Sequence, residues 1–537
     1  MARLRFYIII LLIIVCCLIL FPYFIAQTSF GARIISQQLS KLSPYSISIG
    51  GINHSFFSNS SELVFDDVVV RDGQQDFVKI SKLIIGLDKD DLWQLKHFNY
   101  VIVVNGIING DKLLTNDEIS ANTLKFIDST VNLSINKGQD KLSLQQVNGG
   151  IKPFTISGKE KYEFDLTAQQ VLFNQLPMES VLIQGYHQDD ITSITNMGGN
   201  INNGFFVSKL KILADDSFDI EQLKINNIHF QLSNEEDLNK LPSVLPKFTI
   251  RQFSMFESSI QLPNFSFDKG NIEATDISYD KQWRFDQSSF VFDAETAMWH
   301  DDLFSSVLIK LKSQEHAIKI EKAMATWNKG NVSFTGSWQN NELQLAQLTL
   351  VGANYELPEK LERPLLPDIF SQINIEQLTI LPSMIIQTNS DYPFIFSNLE
   401  VSGSNISLAK NGKLGLYSGT LFFKAEKGSI NRIDITYPDL VVKFDDYNCA
   451  ILNFSTLINQ GGMLESIATL DPSQTEFLSL KFNAYNIKSS LLKEWKLVKQ
   501  PPNAMNYKAD LHGKISPFSL SGIISVENND YVVTSEH

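Results

Sequence analysis

Two stretches of this 537-residue chain set an imidazole beside carboxylates, as metal binding or general acid–base chemistry requires. They are His187-Gln-Asp189-Asp190 and His300-Asp301-Asp302. Neither has the spacing of an H-E-x-x-H helix, and no C-x-x-C or EF-hand pattern accompanies them. Both fall where turns are expected, so they read as solvated loops. Asp88-Lys-Asp90-Asp91 and Glu235-Glu236-Asp237 read as ordinary exposed charge. The chain also has no G-x-S-x-G elbow, no P-loop and no dinucleotide fingerprint. No catalytic, metal-ligating or cofactor-binding residue is therefore assigned, and a non-enzymatic protein is expected. The enzymatic alternative is an exported hydrolase working with two distant carboxylates.

What must be positioned is apolar surface. Phe6 to Ala26 is an uncharged, almost wholly apolar run preceded by Met-Ala-Arg-Leu-Arg. A helix of this length spans roughly 30 Å, the thickness of a bilayer's hydrocarbon core. Arg3 and Arg5 place residues 1–5 in the cytoplasm by the positive-inside rule, and the bulk of the chain across the membrane. A cleaved signal peptide fits less well. The run is longer than an h-region, and cuts after Ala26 or Ala32 would set Phe24 or Phe30 at the −3 position.

Net charge is −14, which argues against nucleic acid as a partner and against broad adhesion to an anionic membrane. Outside the anchor the one cysteine is Cys449, so packing and backbone pairing must supply stability. Phenylalanine is abundant at 37 residues, a composition suited to strands that fill a core or line an apolar surface.

After the anchor, residues 27–43 read as a short amphipathic helix. Thr28 or Ser29 caps it, Ile34, Ile35, Leu39 and Leu42 form its apolar stripe, and Ser43-Pro44 ends it. A short helical pattern at Ser233–Leu238 opens with a capping-box spacing between Ser233 and Glu236 and stops before Pro242, and weaker ones lie at Glu359–Ile373 and Ser489–Val498. From Tyr45 onward the period is two, with Gly, Asn and Asp at the breaks. A loose unit recurs: apolar-x-apolar, a short gap, then apolar-x-apolar. Copies include Leu124/Phe126 with Val131/Leu133/Ile135, Leu223/Ile225 with Ile228/Phe230/Leu232, and Phe253/Met255 with Ile260/Leu262. Later ones are Leu378/Ile380 with Met384/Ile386, Leu399/Val401 with Ile406/Leu408, and Ile433/Ile435 with Leu440/Val442/Phe444. Their spacing is irregular, which excludes a strict solenoid. Each unit is either two antiparallel strands or one bulged strand, and the alternation suits an elongated sheet and a sandwich core equally. It sets Phe126, Phe230, Leu232, Ile406 and Leu408 on one apolar surface, with Lys125 and Gln231 facing away.

The order of features carries a resemblance. An N-terminal anchor runs into Gln27-Thr-Ser-Phe-Gly-Ala-Arg-Ile-Ile-Ser. Then follow Tyr45-Ser-Ile-Ser-Ile-Gly, Leu63-Val-Phe-Asp-Asp-Val-Val-Val-Arg-Asp-Gly and Ser81-Lys-Leu-Ile-Ile-Gly-Leu. Val147-Asn-Gly-Gly-Ile-Lys-Pro and Val181-Leu-Ile-Gln-Gly strengthen it. The chain resembles the AsmA-like family of Gram-negative inner-membrane proteins. The resemblance implies a mainly β periplasmic groove over residues 44–500, elongated, antiparallel and repeating, with residues 501–537 of unknown role. It implies phospholipid acyl chains as ligand, with Phe126, Leu133, Phe230, Leu232, Ile406 and Leu408 as groove candidates. An open groove of this kind would tolerate Asp at Phe230 or Ile406. Three functions compete: a phospholipid-binding or conducting module, a scaffold regulating protein targeting to or assembly of the outer membrane, and a hydrolase.

Overall fold

Period-two alternation becomes strand after strand in the computed structural model, which describes residues 21–534 with gaps. The gaps are 22, 56–58, 74, 89–95, 111–118, 136–139, 156–160, 174–175, 233–245, 315–316, 358–369, 389–392, 445–448, 459–460, 472–476, 496, 502, 515–518 and 528. The anchor expected at 6–26 thus lies mostly outside the described residues; of its positions, 21 and 23–26 are described and helical. Among the described residues no helix is long and apolar enough to cross a membrane.

Most described residues are in antiparallel strands joined by tight hairpins. Several turns hold two successive residues at positive φ: Asp189-Asp190, Asn202-Asn203, Asn328-Lys329, Asn340-Asn341, Asn411-Gly412 and Asn431-Arg432. Such turns match the twist of the flanking strands and favour Asn, Asp and Gly, whose short side chains tolerate the left-handed region. The carboxylates beside His187 are therefore turn residues, and His300 itself has φ 52° in the turn after Trp299.

The chain forms two compact units. One comprises Met1–Ser259 with Thr275–Arg284, the other Ile260–Ala274 with Phe285–His537. In the first, the helix Ser29–Leu42 starts at Thr28, whose hydroxyl accepts from Gly31 N at 3.2 Å. Its stripe differs from the one expected: Ala32 and Ser36 are buried, whereas Ile34 and Leu39 face solvent. Small residues let the helix lie close to the sheet, and its hydroxyls complete the backbone pairing there. Ser36 Oγ accepts from Ile49 N at 2.9 Å and Ser40 Oγ from Ile47 N at 2.8 Å. The core of this unit gathers Ile52, Val103, Phe126, Val147, Val171 and Val181. The second unit holds two clusters, one around Ile375, Val401, Ile406 and Leu421, the other around Ile458, Leu492, Leu511 and Ile524.

Five of the six recurring units are single bulged strands: Leu124–Ile135, Phe248–Gln261, Gln372–Gln387, Phe394–Lys410 and Ile433–Phe444. Asp128, Glu257, Asn405 and Tyr437 take positive φ inside four of them. The extra residue resets the alternation, so the apolar positions before and after it share a face. The copy at 223–232 is instead split into Phe218–Asn226 and His229–Gln231, with Asn227 at φ 53° between.

Three of these copies are more regular than their spacing suggested. Leu124–Ile135, Phe248–Gln261 and Gln372–Gln387 each pair in parallel with an earlier strand, His97–Asn109, Phe218–Asn226 and Glu342–Val351 respectively. Each carries a buried serine at the bulge, 129 and 125 residues apart: Ser129, Ser258 and Ser383. Each Oγ donates to the carbonyl two residues back, at 3.0, 2.8 and 2.7 Å. Each accepts an N–H from the neighbouring segment, from Gly106 (3.1 Å), Ile228 (3.2 Å) and Ala353 (3.2 Å). Among the described residues, seven strands of nine or more residues follow each step, ending at Asn226, Val351 and Tyr485. Residues 124–485 thus fall into three runs of seven long strands, or cassettes, with further strands before and after them. Beyond residue 501 pairing continues: Tyr507–Lys514 joins Phe477–Tyr485, and Ser519–Val526 and Asn529–Thr534 follow in turn.

Candidate apolar groove

In the second unit five successive strands share one apolar face: the 265–274 part of Phe265–Tyr279, then Ser289–Trp299, Asp302–Gln314, Ala317–Trp327 and Gly330–Gln339. Their registers bring Phe292 opposite Ile309, Ile309 opposite Ala323, and Ala323 opposite Phe334. A cavity of about 450 Å³ opens over this face, and all sixteen residues lining it are apolar. Alanines at 297, 323 and 325 leave the floor low, while Phe265, Phe267, Phe290, Phe292, Phe304 and Phe334 supply bulk around it. The rings lock one another. Phe267 meets Phe292 edge-on at 5.1 Å, and Phe265 meets Trp299 edge-on at 6.3 Å. Met298, Trp299 and Met324 remain substantially exposed at the rim.

The opposite face of the same strands is polar. Lys269 Nζ donates to Glu295 Oε2 at 2.8 Å and Asn271 Nδ2 to Asp293 Oδ2 at 2.8 Å. The exposed Lys269–Glu295 ion pair contributes little stability, but these polar contacts set which face can shed water. What the groove can do chemically is hold hydrocarbon. Each CH₂ removed from water there is worth about 0.8 kcal/mol.

None of the six expected groove residues lines this cavity. Phe126 is buried in the core of the first unit, where Leu133 pairs with Leu142 and is half-buried. Phe230 and Leu232 are half-buried at the short His229–Gln231 strand. Ile406 is fully enclosed in the second unit, with Leu408 packed beside it. The expectation that Ile406 faces an open groove is therefore corrected: the strands on both sides place Ile375 and Leu421 close by, and the space is filled. Lys125 and Gln231 are exposed. The signal for the observed groove was the density of phenylalanine between 248 and 334, combined with alanines at alternate positions. His187 stacks on Tyr162 at 4.9 Å with Nδ1 2.9 Å from Thr192 Oγ1, a cross-strand contact. Among the described residues no group of three His, Cys, Asp or Glu could hold a metal ion.

No family model matches the sequence. Over 489 residues the chain is 24% identical to AsmA family protein YicH of Escherichia coli strain K12, covering 88% of this chain and 84% of that protein. This supports AsmA-like family membership. The AsmA-like match extends well beyond the opening motifs that first carried the resemblance.

Proposed function

We propose that the chain is an inner-membrane-anchored envelope protein that binds or conducts phospholipid acyl chains through an apolar β-groove, without enzymatic activity. The observation that carries this reading is the cavity whose sixteen lining residues are all apolar, open at a rim of Met298, Trp299 and Met324. An acyl tail of about ten methylenes there would gain roughly 8 kcal/mol of burial before the costs of ordering. The headgroup stays in solvent, so the site needs no cation.

The test is organic extraction and mass spectrometry of the full chain purified in a maltoside detergent. Phospholipid should co-purify, and Ala325→Phe, which fills the half-exposed floor, should lower the bound amount several-fold at unchanged thermal stability. Lipid-free wild type, or an Ala325→Phe variant that holds as much lipid, would overturn the reading. The filled clusters around Phe126 and Ile406 favour a second one, a scaffold acting on outer-membrane assembly through protein contacts. Lipid-free protein that still captures envelope proteins would favour it.

A further inference from the structure

The helix Ser29–Leu42 gives one side to the sheet, through buried Ala32 and Ser36, and leaves the other open. Phe30, Arg33, Ile34, Gln37 and Lys41 are all exposed and share roughly a third of the helix circumference. Phe30 is 63% and Ile34 42% exposed. Single exposed apolar side chains are ordinary, but these two lie one turn apart on the same side.

The joint in front of the helix is stiff. Residues 23–26 are helical, and Thr28 then donates to Ile25 O from both its N–H (2.9 Å) and its hydroxyl (2.6 Å). Gly31 has no room for a side chain: a Cβ there would collide with Ile25 O and Ala26 Cα. Tyr23 OH donates to His54 O at 2.9 Å, tying the last turn of the apolar run 6–26 to the sheet. The helix therefore cannot swing away from the end of that run. Only four residues separate Ala26 from Phe30, a reach of at most about 14 Å.

Charge points the same way. The chain carries a net −14, yet its first acidic residue is Glu62, while Arg33 and Lys41 stand on the open side of the helix. The stretch nearest the end of the run is thus free of groups that anionic headgroups repel, and it offers two that they attract. Apolar side chains flanked by cations suit a helix lying in the headgroup region, with the apolar groups at the acyl boundary and the cations at the phosphates. Gln37, Gln38 and Lys41 confine the apolar contact to the first two turns, the ones nearest Ala26.

We propose that the helix Ser29–Leu42 lies on the surface of the anchoring bilayer, with Phe30 and Ile34 at the headgroup–acyl boundary and Arg33 and Lys41 at the phosphates of anionic phospholipid. This rests on the membrane anchor in the reading above and adds a second contact, which fixes how the sheet stands on the membrane. The full chain, with Phe30, Ile34 or Leu39 replaced by p-benzoylphenylalanine, is reconstituted in vesicles of phosphatidylethanolamine and phosphatidylglycerol and irradiated. Leu39 is also exposed but sits half a turn away around the helix, so it serves as the internal control. Phospholipid adducts at positions 30 and 34 should exceed those at 39 by about fivefold or more. Arg33→Glu combined with Lys41→Glu should cut the yield at position 30 by about threefold. Equal yields at all three positions, chain-to-chain adducts in place of lipid ones, or a yield untouched by the charge reversal would each overturn the proposal. Should the substituted chains not fold, wild type in vesicles doped with a diazirine-bearing phospholipid decides. Label on the tryptic peptide 34–41 supports the surface helix, and label confined to 6–33 overturns it. Carbonate extraction separates this inference from the anchor. A chain that stays with the vesicles in carbonate but gives no adducts at 30 and 34 sinks this inference alone. A chain stripped by carbonate, with adducts at 30 and 34 formed beforehand, sinks the anchor instead.

Discussion

Tyr507 keeps a hydroxyl in the C-terminal cluster that is buried and has no partner among the described residues. Burial pushes its pKa up, because the phenolate would lose solvation. A folded-state pKa above the unfolded one gives stability that is complete below about pH 10 and is lost as pH rises beyond it. Tyr507→Phe should therefore raise stability by up to about 1 kcal/mol at pH 8, by removing an unmatched group, and flatten the alkaline decline. Denaturant midpoints of both proteins at pH 8 and pH 10.5 check this; Tyr162, also raised by burial, leaves a residual slope. At Ile406, 0% exposed, Asp should cost several kcal/mol and abolish accumulation, whereas Gln231→Asp should accumulate normally on immunoblots.

Among the elements, the bulged strands join local pattern to tertiary packing. Ser129→Ala should leave Gly106 N–H unpaired in the interior and cost about 1–3 kcal/mol, with faster hydrogen exchange at Gly106 as the readout. The same change at Ser258 or Ser383 should act on Ile228 or Ala353. Strands and turn pairs such as Asn340-Asn341 were legible because period two and left-handed backbone leave direct residue signatures. The bulges were legible only as a choice, since a broken alternation looks alike in one strand or two. The latch went unread: Ile127-Asp-Ser-Thr-Val131, Phe256-Glu-Ser-Ser-Ile260 and Leu381-Pro-Ser-Met-Ile385 share little but a serine and its flanks. The helix Ser29–Leu42 was legible in extent, yet its buried face was not. Close approach to a sheet selected Ala32 and Ser36 over the larger Ile34 and Leu39, which a stripe of hydrophobicity cannot reveal.

At the scale of the whole molecule, mainly β architecture followed from composition and period, while the groove did not. It depends on the registers between five strands setting Ala297, Ala323 and Ala325 among phenylalanines, and register is a long-range property. The expected 44–500 body resolves into two units, and the sheet of the second continues beyond 501. For the anchor, alkaline-phosphatase fusions after residue 60 should be active, and the purified chain should keep Met1-derived peptides. Inactive fusions, or a mature N-terminus near Gln27, would refute an uncleaved anchor.

The seven-strand cassettes bear on how such a chain can evolve. In the first and third, every successive long strand reverses direction, and seven is odd, so each run ends pointing as it began. The parallel step after the first run hands that direction to the second, and a like step joins the second to the third. A tandem duplication of one cassette could thus be spliced in without inverting a strand, whereas one extra strand would invert those that follow. Lineages could lengthen or shorten the apolar surface by single recombination events, with the serine latches marking the joints.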